Sequence, residues 1–496
     1  MFSDPQTMAL AFLRRAYSVL DQIVLSRLSE SLERRLKEAL VSIGATVFPG
    51  RISHASAASL MVRRVRPPLG SSAPIPDWAR VELSALAKEV DPALVLHASP
   101  PCHVVMTNDC RAMDAYRFIR SQLPDPCDVL FVVPWLKIGG ADLATLHHVR
   151  VVHSMGLSVA VLATEPHDSP WRDRLPPEVR FVEAGAVLAG LGDFRQAALV
   201  LARWVVQVRP KMLHLMGSRV GWDALKLHGA AIASSSAVAA SLYCDDEDES
   251  GKPLGLAVSH LPDAFTYLSV IFSDNALYPE RWSRRWGLPK SLFITLDLPA
   301  PPVTELGGSA PALVFGPPTP NRPRILWAGR FDRQKRLDVL WELVSRTPDC
   351  DWDIHGQQVV PGHGFDISRF KCLPNAYING PYGRFEDIVR PEHVAFVYTS
   401  QWDGIPNVVL EAARLLPVIA PRVGGLPTVI HPELLVHDVF DLEGYLERIS
   451  RLRTESDWAA SVYRSQQRIL DRRTAQSFAD SLEPVIRSLL ENRSRS

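Results

Sequence analysis

The stretch between Val394 and Ile430 constrains the fold of this chain more than any other. It opens with VAFVY, a short apolar run of β-branched and aromatic residues that is typical of a buried strand. A polar turn with Gly and Pro follows, and then VVLEAARLL, a run of helix formers for which Asn407 can serve as N-cap. PVIA is a second short strand. This order predicts a parallel α/β sheet, in which ligands bind beyond the carboxyl ends of the strands.

Polar and glycine residues follow both of these strands. Asp403 and Gly404 come after the first, and Gly424 and Gly425 come after the second. The helix start between them offers free N–H groups and a positive dipole end, which suit an anion. Asp403 and Glu411 could hold hydroxyls on either side of a bound phosphate, a layout that suits a sugar nucleotide. The alternative is that Asp403 is a turn former and Glu411 a solvated helix residue.

Composition indicates an ordinary globular protein with two or three domains. The chain has 496 residues, 47% of them hydrophobic and 22% charged. Lys plus Arg equals Asp plus Glu at 54 each, which excludes a general basic field for nucleic acid. The six cysteines show no metal-binding spacing and favour a reducing compartment. We therefore expect no metal site and, with no transmembrane run or signal-peptide pattern, a cytoplasmic location.

Residues 1–126 are predicted to form a helical N-terminal extension. Between Thr7 and Ile43, leucines recur at spacings of three and four, with arginines between them. A basic amphipathic helix of this kind packs on its own domain or lies at the inner face of the cell membrane. The sequence leaves both alternatives open.

Residues 127–300 are predicted to form a first Rossmann-like domain. DVLFVVP is a strand, Gly139 and Gly140 form the following turn, and a helix and the strand SVAVLAT complete the unit. A Gly pair at such a turn lets the backbone approach a ligand closely. The pattern is neither GxGxxG nor a P-loop, so the NAD and ATP motifs are absent. His214, at another strand end, is interpreted as structural.

A Pro- and Gly-rich linker at 301–323 precedes a second Rossmann-like domain at 324–480 and a C-terminal tail at 481–496. The strand RILWAGRF ends in Gly329 and Arg330, and Lys335 follows five residues later. The two cations can converge on one diphosphate and neutralise it as a nucleotide leaves. The alternative is a pair of solvated cations.

These motifs together resemble glycosyltransferase family 4, a retaining family with the GT-B fold. The shared pattern is an acid, seven residues, Glu-Ala, then Pro-Val-hydrophobic and a Gly-Gly turn. The chain differs by Asp403 in place of Glu, by a leucine before Pro417 in place of Gly, and by Thr428 in place of an acid. The resemblance covers roughly residues 125–480 and extends to members from bacterial surface-polysaccharide (O-antigen or exopolysaccharide) synthesis.

The resemblance implies an α/β architecture of two Rossmann-like domains that face each other across a cleft, with a C-terminal helix that crosses back to the first. It implies transfer of a sugar, with retention, from a nucleotide-diphosphate sugar to a glycan or lipid-linked oligosaccharide acceptor, without a cofactor. Arg330 and Lys335 would clamp the diphosphate, Asp403 would lie near the donor sugar, and Glu411 would take the ribose hydroxyls. Asp245 stands where the family has a His-Asp pair.

The resemblance also implies which residues bind the nucleotide sugar. They lie at the strand ends and the helix start, and they are Gly139, Gly140, Gly329, Gly404, Ile405, Asn407, Glu411, Gly424 and Gly425. Gly356 and Gly380 are implied, more weakly, for the base pocket. The segment Ser273 to Asn275 resembles the end of the last strand of the first domain, which commonly faces the cleft.

Two rival functions remain open at this point. One is another enzyme on the same fold, such as a sugar-nucleotide epimerase or a phosphorylase, although the pyridoxal-lysine motif of phosphorylases is not found in the sequence. The other is a catalytically degenerate GT-B protein that acts as a scaffold in a polysaccharide assembly complex.

Overall fold

The computed structural model describes residues 110–137, 139–302, 322–358 and 365–494. The predicted basic helix and most of the predicted linker lie outside these residues. All of the described residues fall within one structural unit of the chain. No helix in these four ranges is long and apolar enough to cross a membrane.

The first domain is built on a parallel seven-stranded sheet with the order β3-β2-β1-β4-β5-β8-β9. Strands β6 and β7 pair separately as a small antiparallel hairpin. The strands are β1 (Val129–Val133), β2 (Val159–Ala163), β3 (Arg180–Glu183), β4 (Met212–Met216), β5 (Ala237–Ser241), β6 (Asp246–Glu247), β7 (Pro253–Leu254), β8 (Val270–Ser273) and β9 (Phe293–Thr295).

Helices cover both faces of this sheet. They are α1 (Cys110–Gln122), α2 (Gly140–Ser154), α3 (Gly185–Ala189), α4 (Phe194–Val208), α5 (Arg219–Ser235), α6 (Leu256–Ala264) and α7 (Leu277–Trp286). Successive side chains of β1 point to opposite faces, so Phe131 lies in one core and Leu130 and Val132 lie in the other. Helix α1 packs into the core of Leu130, against α4. The predicted domain boundary at 126 stays a prediction.

The second domain repeats the plan with a parallel six-stranded sheet in the order β12-β11-β10-β13-β14-β15. Its strands are β10 (Arg324–Ala328), β11 (Asp351–His355), β12 (Ala376–Asn379), β13 (His393–Val397), β14 (Val418–Pro421) and β15 (Leu435–Val436). Its helices, and the C-terminal one, are α8 (Leu337–Arg346), α9 (Asn407–Leu415), α10 (Leu442–Thr454), α11 (Ser456–Leu470) and α12 (Ala475–Ser494). The predicted architecture of two Rossmann-like α/β domains is confirmed.

The start of helix α9 differs from the prediction. Pro406 is the N-cap, with extended backbone, and the helix begins at Asn407 itself. The expectation that Asn407 caps the helix is therefore wrong, because the residue before it already holds the non-helical conformation that the cap requires. The Asn407 amide instead lies near Gly140 of the first domain, 3.8 Å from where a Cβ on that glycine would stand.

The C-terminal helix α12 crosses to the first domain, as the resemblance implied. It packs on α2 and β5, and the ring of Phe478 meets that of His148 edge-on at 5.2 Å. His148 and His214 are both buried, and burial lowers the pKa of each ring. His214 also lies within hydrogen-bond distance of Ser241, with Nε2 and Oγ 2.9 Å apart. The structural interpretation of His214 agrees with this position.

A buried carboxylate ties three strands of the second sheet together. Asp353, on β11, accepts two hydrogen bonds from the guanidinium of Arg324, at 2.7 and 2.8 Å, and lies 2.9 Å from Nε2 of His393. Burial raises the pKa of Asp353, but His393 and Arg324 outweigh burial and hold it well below its usual value. The folded protein therefore needs this acid in its charged form.

We predict that Asp353→Ala lowers the free energy of unfolding by about 3–5 kcal/mol, because it leaves the Arg324 guanidinium half-buried without its main acceptor. Urea unfolding of the full chain measures this change. Asp349→Ala is the matched control, since Asp349 pairs with Arg453 at 2.6 Å on the surface, and it should cost less than about 1 kcal/mol. Equal losses in the two variants would contradict the assignment of the buried network.

Candidate active site

The carboxyl ends of the two sheets meet and bring most of the predicted residues together. The backbone N–H of Ile405, after β13, donates to the Asp274 carboxylate, after β8, at 2.6 Å. Gln401 donates to Glu247 across the same boundary at 3.3 Å. All strands of a parallel sheet end at the same edge, and ligands bind there. The two domains therefore face each other through these edges of their sheets.

A buried ion pair lies at the centre of this edge. Nζ of Lys335 lies 2.7 Å from a carboxylate oxygen of Asp403, and the hydroxyl of Tyr398 donates to the same oxygen at 2.6 Å. Lys335 also donates to the Tyr398 hydroxyl. Only 7% of Lys335 is exposed. For this lysine the interpretation as a solvated cation is wrong, because the folded chain buries and pairs it.

Local structure fixes Lys335 in place. It ends a short 3₁₀ turn from Arg333 to Lys335, in which the Asp332 carboxylate accepts from the Lys335 N–H at 3.2 Å. Burial raises the pKa of Asp403, but the Lys335 ammonium and the Tyr398 hydroxyl outweigh burial, so the pKa falls below its usual value. The Asp403 carboxyl group is therefore held in its charged form.

Arg330 occupies a different environment from Lys335. Its side chain is 55% exposed, its Nε lies 3.2 Å from Asp332, and it donates to Gln334 at 2.8 Å. The two cations are thus unlike: Lys335 is buried in an ion pair, and Arg330 is paired at the surface. The structure brings Arg330 to the same strand end but does not pair it with Asp403.

The glycines of this edge allow close contact between loops. Gly424 has φ +52°, and a Cβ there would stand 1.9 Å from the carbonyl oxygen of Asp403. The N–H of Gly425 donates to the carbonyl of Gly404 at 3.1 Å. Only glycine at 424 permits both the positive φ and the contact. Residues 403–405, which we call the 403–405 loop, are thereby held against the turn after β14.

The other predicted glycines fall around the same edge. Gly139 is the N-cap of α2 and Gly140 its first residue. A Cβ on Gly356 would stand 1.9 Å from the carbonyl oxygen of Gly329, so these two strand ends are in contact. Gly380 has open space at its Cβ position. Their roles in ligand binding stay predictions.

Glu411 lies in the first turns of α9 and is mostly shielded from water. Burial raises its pKa to about 7, with a further rise from Glu386 and an opposing effect from Arg174 of the first domain. The side chain is half-buried in the structure, between the solvated position and the ligand-binding position that the sequence leaves open. An acid with this pKa can donate or accept a hydrogen bond near neutral pH, which suits recognition of a hydroxyl.

Glu411→Gln should raise the stability of the protein at pH 8 and leave it nearly unchanged at pH 4.5. The folded-state pKa of Glu411 lies above its usual value, so folding favours the protonated form, and ionisation between pH 4.5 and 7 costs stability. The gain at pH 8 is at most about 3 kcal/mol. Thermal unfolding at both pH values measures it, with the exposed Glu342→Gln as control. A gain independent of pH would contradict the raised pKa.

The carboxylate of Asp245 is turned toward helix α7. It accepts from the indole N–H of Trp282 at 2.9 and 3.1 Å, and burial raises its pKa. The structure therefore does not bring it into contact with Lys335 or Asp403. The pKa of the neighbouring Cys244 is raised by burial and, to a smaller extent, by Asp403. Asp245 is buried, whereas Asp246, the next acid along the chain, is exposed.

Sequence analysis missed two residues of this edge as site residues. Tyr398 was assigned only to the apolar run of a strand, although its hydroxyl contacts both members of the ion pair. Asp274 was noted only as part of a strand end, although it makes the hydrogen bond between domains. A polar SDN triplet directly after an apolar strand was the available signal for Asp274.

No group of three His, Cys, Asp or Glu side chains among the described residues has the arrangement of a metal site. The groups that the structure does bring to this edge include two cations, several carboxylates and the N–H groups at the start of α9.

Comparison with solved structures settles the fold. The chain is similar to the lipopolysaccharide outer core galactosyltransferase WaaB, with 16% identity and a TM-score of 0.53 over 73% of this chain and 99% of that one. It is similar to Anabaena Alr3699/HepE in complex with UDP and glucose, with 13% identity and a TM-score of 0.52 over 73% of this chain and 100% of that one. It is also similar to the catalytic domain of starch synthase IV from Arabidopsis thaliana bound to ADP and acarbose, with 13% identity and a TM-score of 0.54 over 74% of this chain and 100% of that one.

The fold is GT-B. The likeness extends over nearly the whole length of each of these proteins, and it reproduces two Rossmann-like domains with helices at the C-terminus. No family model and no curated protein matches the sequence. At such low sequence identity the comparison shows the GT-B fold, and the activity has to be argued from the site itself.

The ion pair should behave as a coupled unit. We predict that Lys335→Met lowers the stability by about 3–5 kcal/mol, because it leaves the Asp403 carboxylate buried and unpaired, and that adding Asp403→Asn recovers part of the loss. Urea unfolding of the four proteins of the cycle measures the coupling energy. The surface pair of Lys211 and Asp128, at 2.8 Å, is the control, with coupling below about 1 kcal/mol. Additive effects at Lys335 and Asp403 would refute the pair.

Proposed function

We propose that the chain is a glycosyltransferase that moves a hexosyl or deoxyhexosyl group from a nucleotide-diphosphate sugar to a glycan or lipid-linked acceptor. The single observation that carries the proposal is a lysine buried at the carboxyl edge of a GT-B cleft, close to an exposed arginine and a helix start. A diphosphate is the ligand that such a combination of cations and N–H groups fits best.

The proposed reaction requires charge stabilisation more than proton transfer. Lys335 and Arg330 neutralise the diphosphate as it leaves the sugar, with help from the N–H groups at the start of α9. Glu411 hydrogen-bonds the ribose hydroxyls, and Asp403 holds the Lys335 ammonium in position beside the donor sugar. The contact between the domains excludes water that would otherwise hydrolyse the donor. No cofactor takes part.

Retention of configuration, assignment to glycosyltransferase family 4 and a place in bacterial cell-surface polysaccharide synthesis are parts of the same proposal. They rest on the sequence pattern around Asp403 and Glu411. Several of the similar structures are complexes with UDP or UDP-glucose, and one similar protein is a lipopolysaccharide outer core galactosyltransferase, which supports the pathway and makes UDP the first nucleotide to test. Peripheral contact with the inner face of the cell membrane is proposed for the basic segment near the N-terminus.

The nucleotide preference can be measured by thermal unfolding of the full chain with UDP, GDP, TDP, ADP and CMP, each alone at a millimolar concentration. We expect one diphosphate to raise the midpoint by about 2–5 °C, because a ligand that binds only the folded state stabilises it by mass action. Lys335→Met should abolish the rise, measured relative to its own ligand-free midpoint. Lys371→Met, an exposed lysine of the same domain, should retain it.

The same experiment separates the proposal from the non-enzymatic alternative. If none of the five nucleotides raised the unfolding midpoint, the result would contradict a working donor site and favour the scaffold. A shift that persists in Lys335→Met would leave nucleotide binding in place but refute the assigned diphosphate site. An enzyme that releases a free product without an acceptor would be an epimerase on the same fold.

A further inference from the structure

Asp274 is a buried acid of the first domain that the proposed reaction does not use. It directly follows β8, and only 3% of it is exposed. One carboxylate oxygen accepts the N–H of Ile405 at 2.6 Å, and the other accepts the side-chain amide of Asn275 at 2.6 Å. Ile405 lies in the other domain, 131 residues further along the chain. The bond therefore joins the two halves of the molecule at the 403–405 loop.

The fit between Asp274 and this loop is close. A Cβ on Gly404 would stand 2.5 and 2.8 Å from the two carboxylate oxygens of Asp274. Only a residue without a side chain at 404 lets the acid reach the N–H of Ile405. The glycine and the acid thus form one contact, made by both domains.

The charged and titratable groups that face Asp274 give it no ion pair. Asp403, Tyr243 and Cys244 are acids or neutral groups whose electrostatic influence on it is unfavourable or weak. Arg473 interacts electrostatically with Asp274, but this cation is bound to Asp297 and Thr428 at 2.8 and 2.9 Å. A buried carboxylate in this position depends on its hydrogen-bond donors, and one of its two donors is the loop.

The loop that Asp274 holds also carries the acid of the ion pair. Ile405 lies two residues after Asp403, and the Gly404 carbonyl between them accepts from Gly425 at 3.1 Å. The loop is therefore fixed by its own domain on one side and by Asp274 on the other. Loss of the Ile405 hydrogen bond would remove the contact that comes from the first domain and leave the loop fixed by its own domain alone.

We propose that Asp274 is a positioning residue for transfer: by accepting the Ile405 N–H across the cleft, it holds the 403–405 loop so that Asp403 aligns the Lys335 ammonium when the two domains are together. The catalytic part of this inference rests on the proposed function. The structural part, the hold on the loop, can be tested without any substrate.

The substrate-free test is hydrogen–deuterium exchange of the Ile405 amide in the full chain. Asp274→Ala should accelerate this exchange about tenfold or more, because it removes a hydrogen bond to a charged acceptor. Asp274→Asn should restore much of the protection, because its carbonyl oxygen can still accept. Asp223→Asn is the matched control: this acid of the first domain is also buried, and it bonds to His260 at 3.0 Å. Unchanged Ile405 exchange in Asp274→Ala would overturn the proposal.

The kinetic test uses the nucleotide sugar whose diphosphate raises the thermal midpoint. Asp274→Ala should lower kcat about tenfold or more with KM for the donor within about twofold, because the Lys335 ammonium still reaches the bound diphosphate but is no longer aligned for the charge that develops in the transition state. Asp274→Asn should recover most of kcat. Normal kcat in Asp274→Ala, with nucleotide binding intact, would overturn the positioning role alone. If no nucleotide binds, the proposed function fails, and the exchange experiment still decides whether Asp274 holds the loop.

Discussion

The Lys335 ammonium is almost fully buried, so it needs a partner of opposite charge to replace the water that it has lost. The structure of the cleft depends on this requirement. Lys335 gives up hydration that only a charged, correctly placed partner can replace. Asp403 supplies that charge from a loop, and Tyr398 supplies a hydroxyl that serves both partners. The loop must therefore come within reach of the lysine, and the glycine after β14 must yield space for it. The close contact between the 403–405 loop and the turn after β14 thus accompanies the burial of the Lys335 ammonium.

The carboxylates along this edge differ because their surroundings differ. Asp403, beside an ammonium, has its pKa lowered, whereas burial raises the pKa of Asp274 to about 6 and that of Glu411 to about 7. The same functional group is thus held as an anion in one place, whereas its pKa lies closer to neutral pH in the two others.

Much of the fold, and half of the site, could be predicted from the sequence. Short apolar runs followed by Gly-containing turns indicated the strands and their ligand-binding ends, because local periodicity determines them. The contacts that define the site are not local. Asp274 meets Ile405 across 131 residues, and nothing in the SDN triplet specifies that partner. The buried acid of DWDIH likewise gives no local sign of Arg324 and His393, since an acid in a strand usually faces water. The cap of α9 was misassigned because a proline before Asn407 already held the extended conformation.

The crossing of helix α12 to the first domain has a consequence for how the protein is made. The strands and helices of the first domain leave the ribosome long before Phe478 is synthesised, so the face of α2 and β5 that α12 covers stays uncovered until α12 has been made. The packing of the first domain is consequently completed after the second domain has been synthesised, although the first domain comes earlier in the sequence. Production of the first domain without α12 would leave that face exposed.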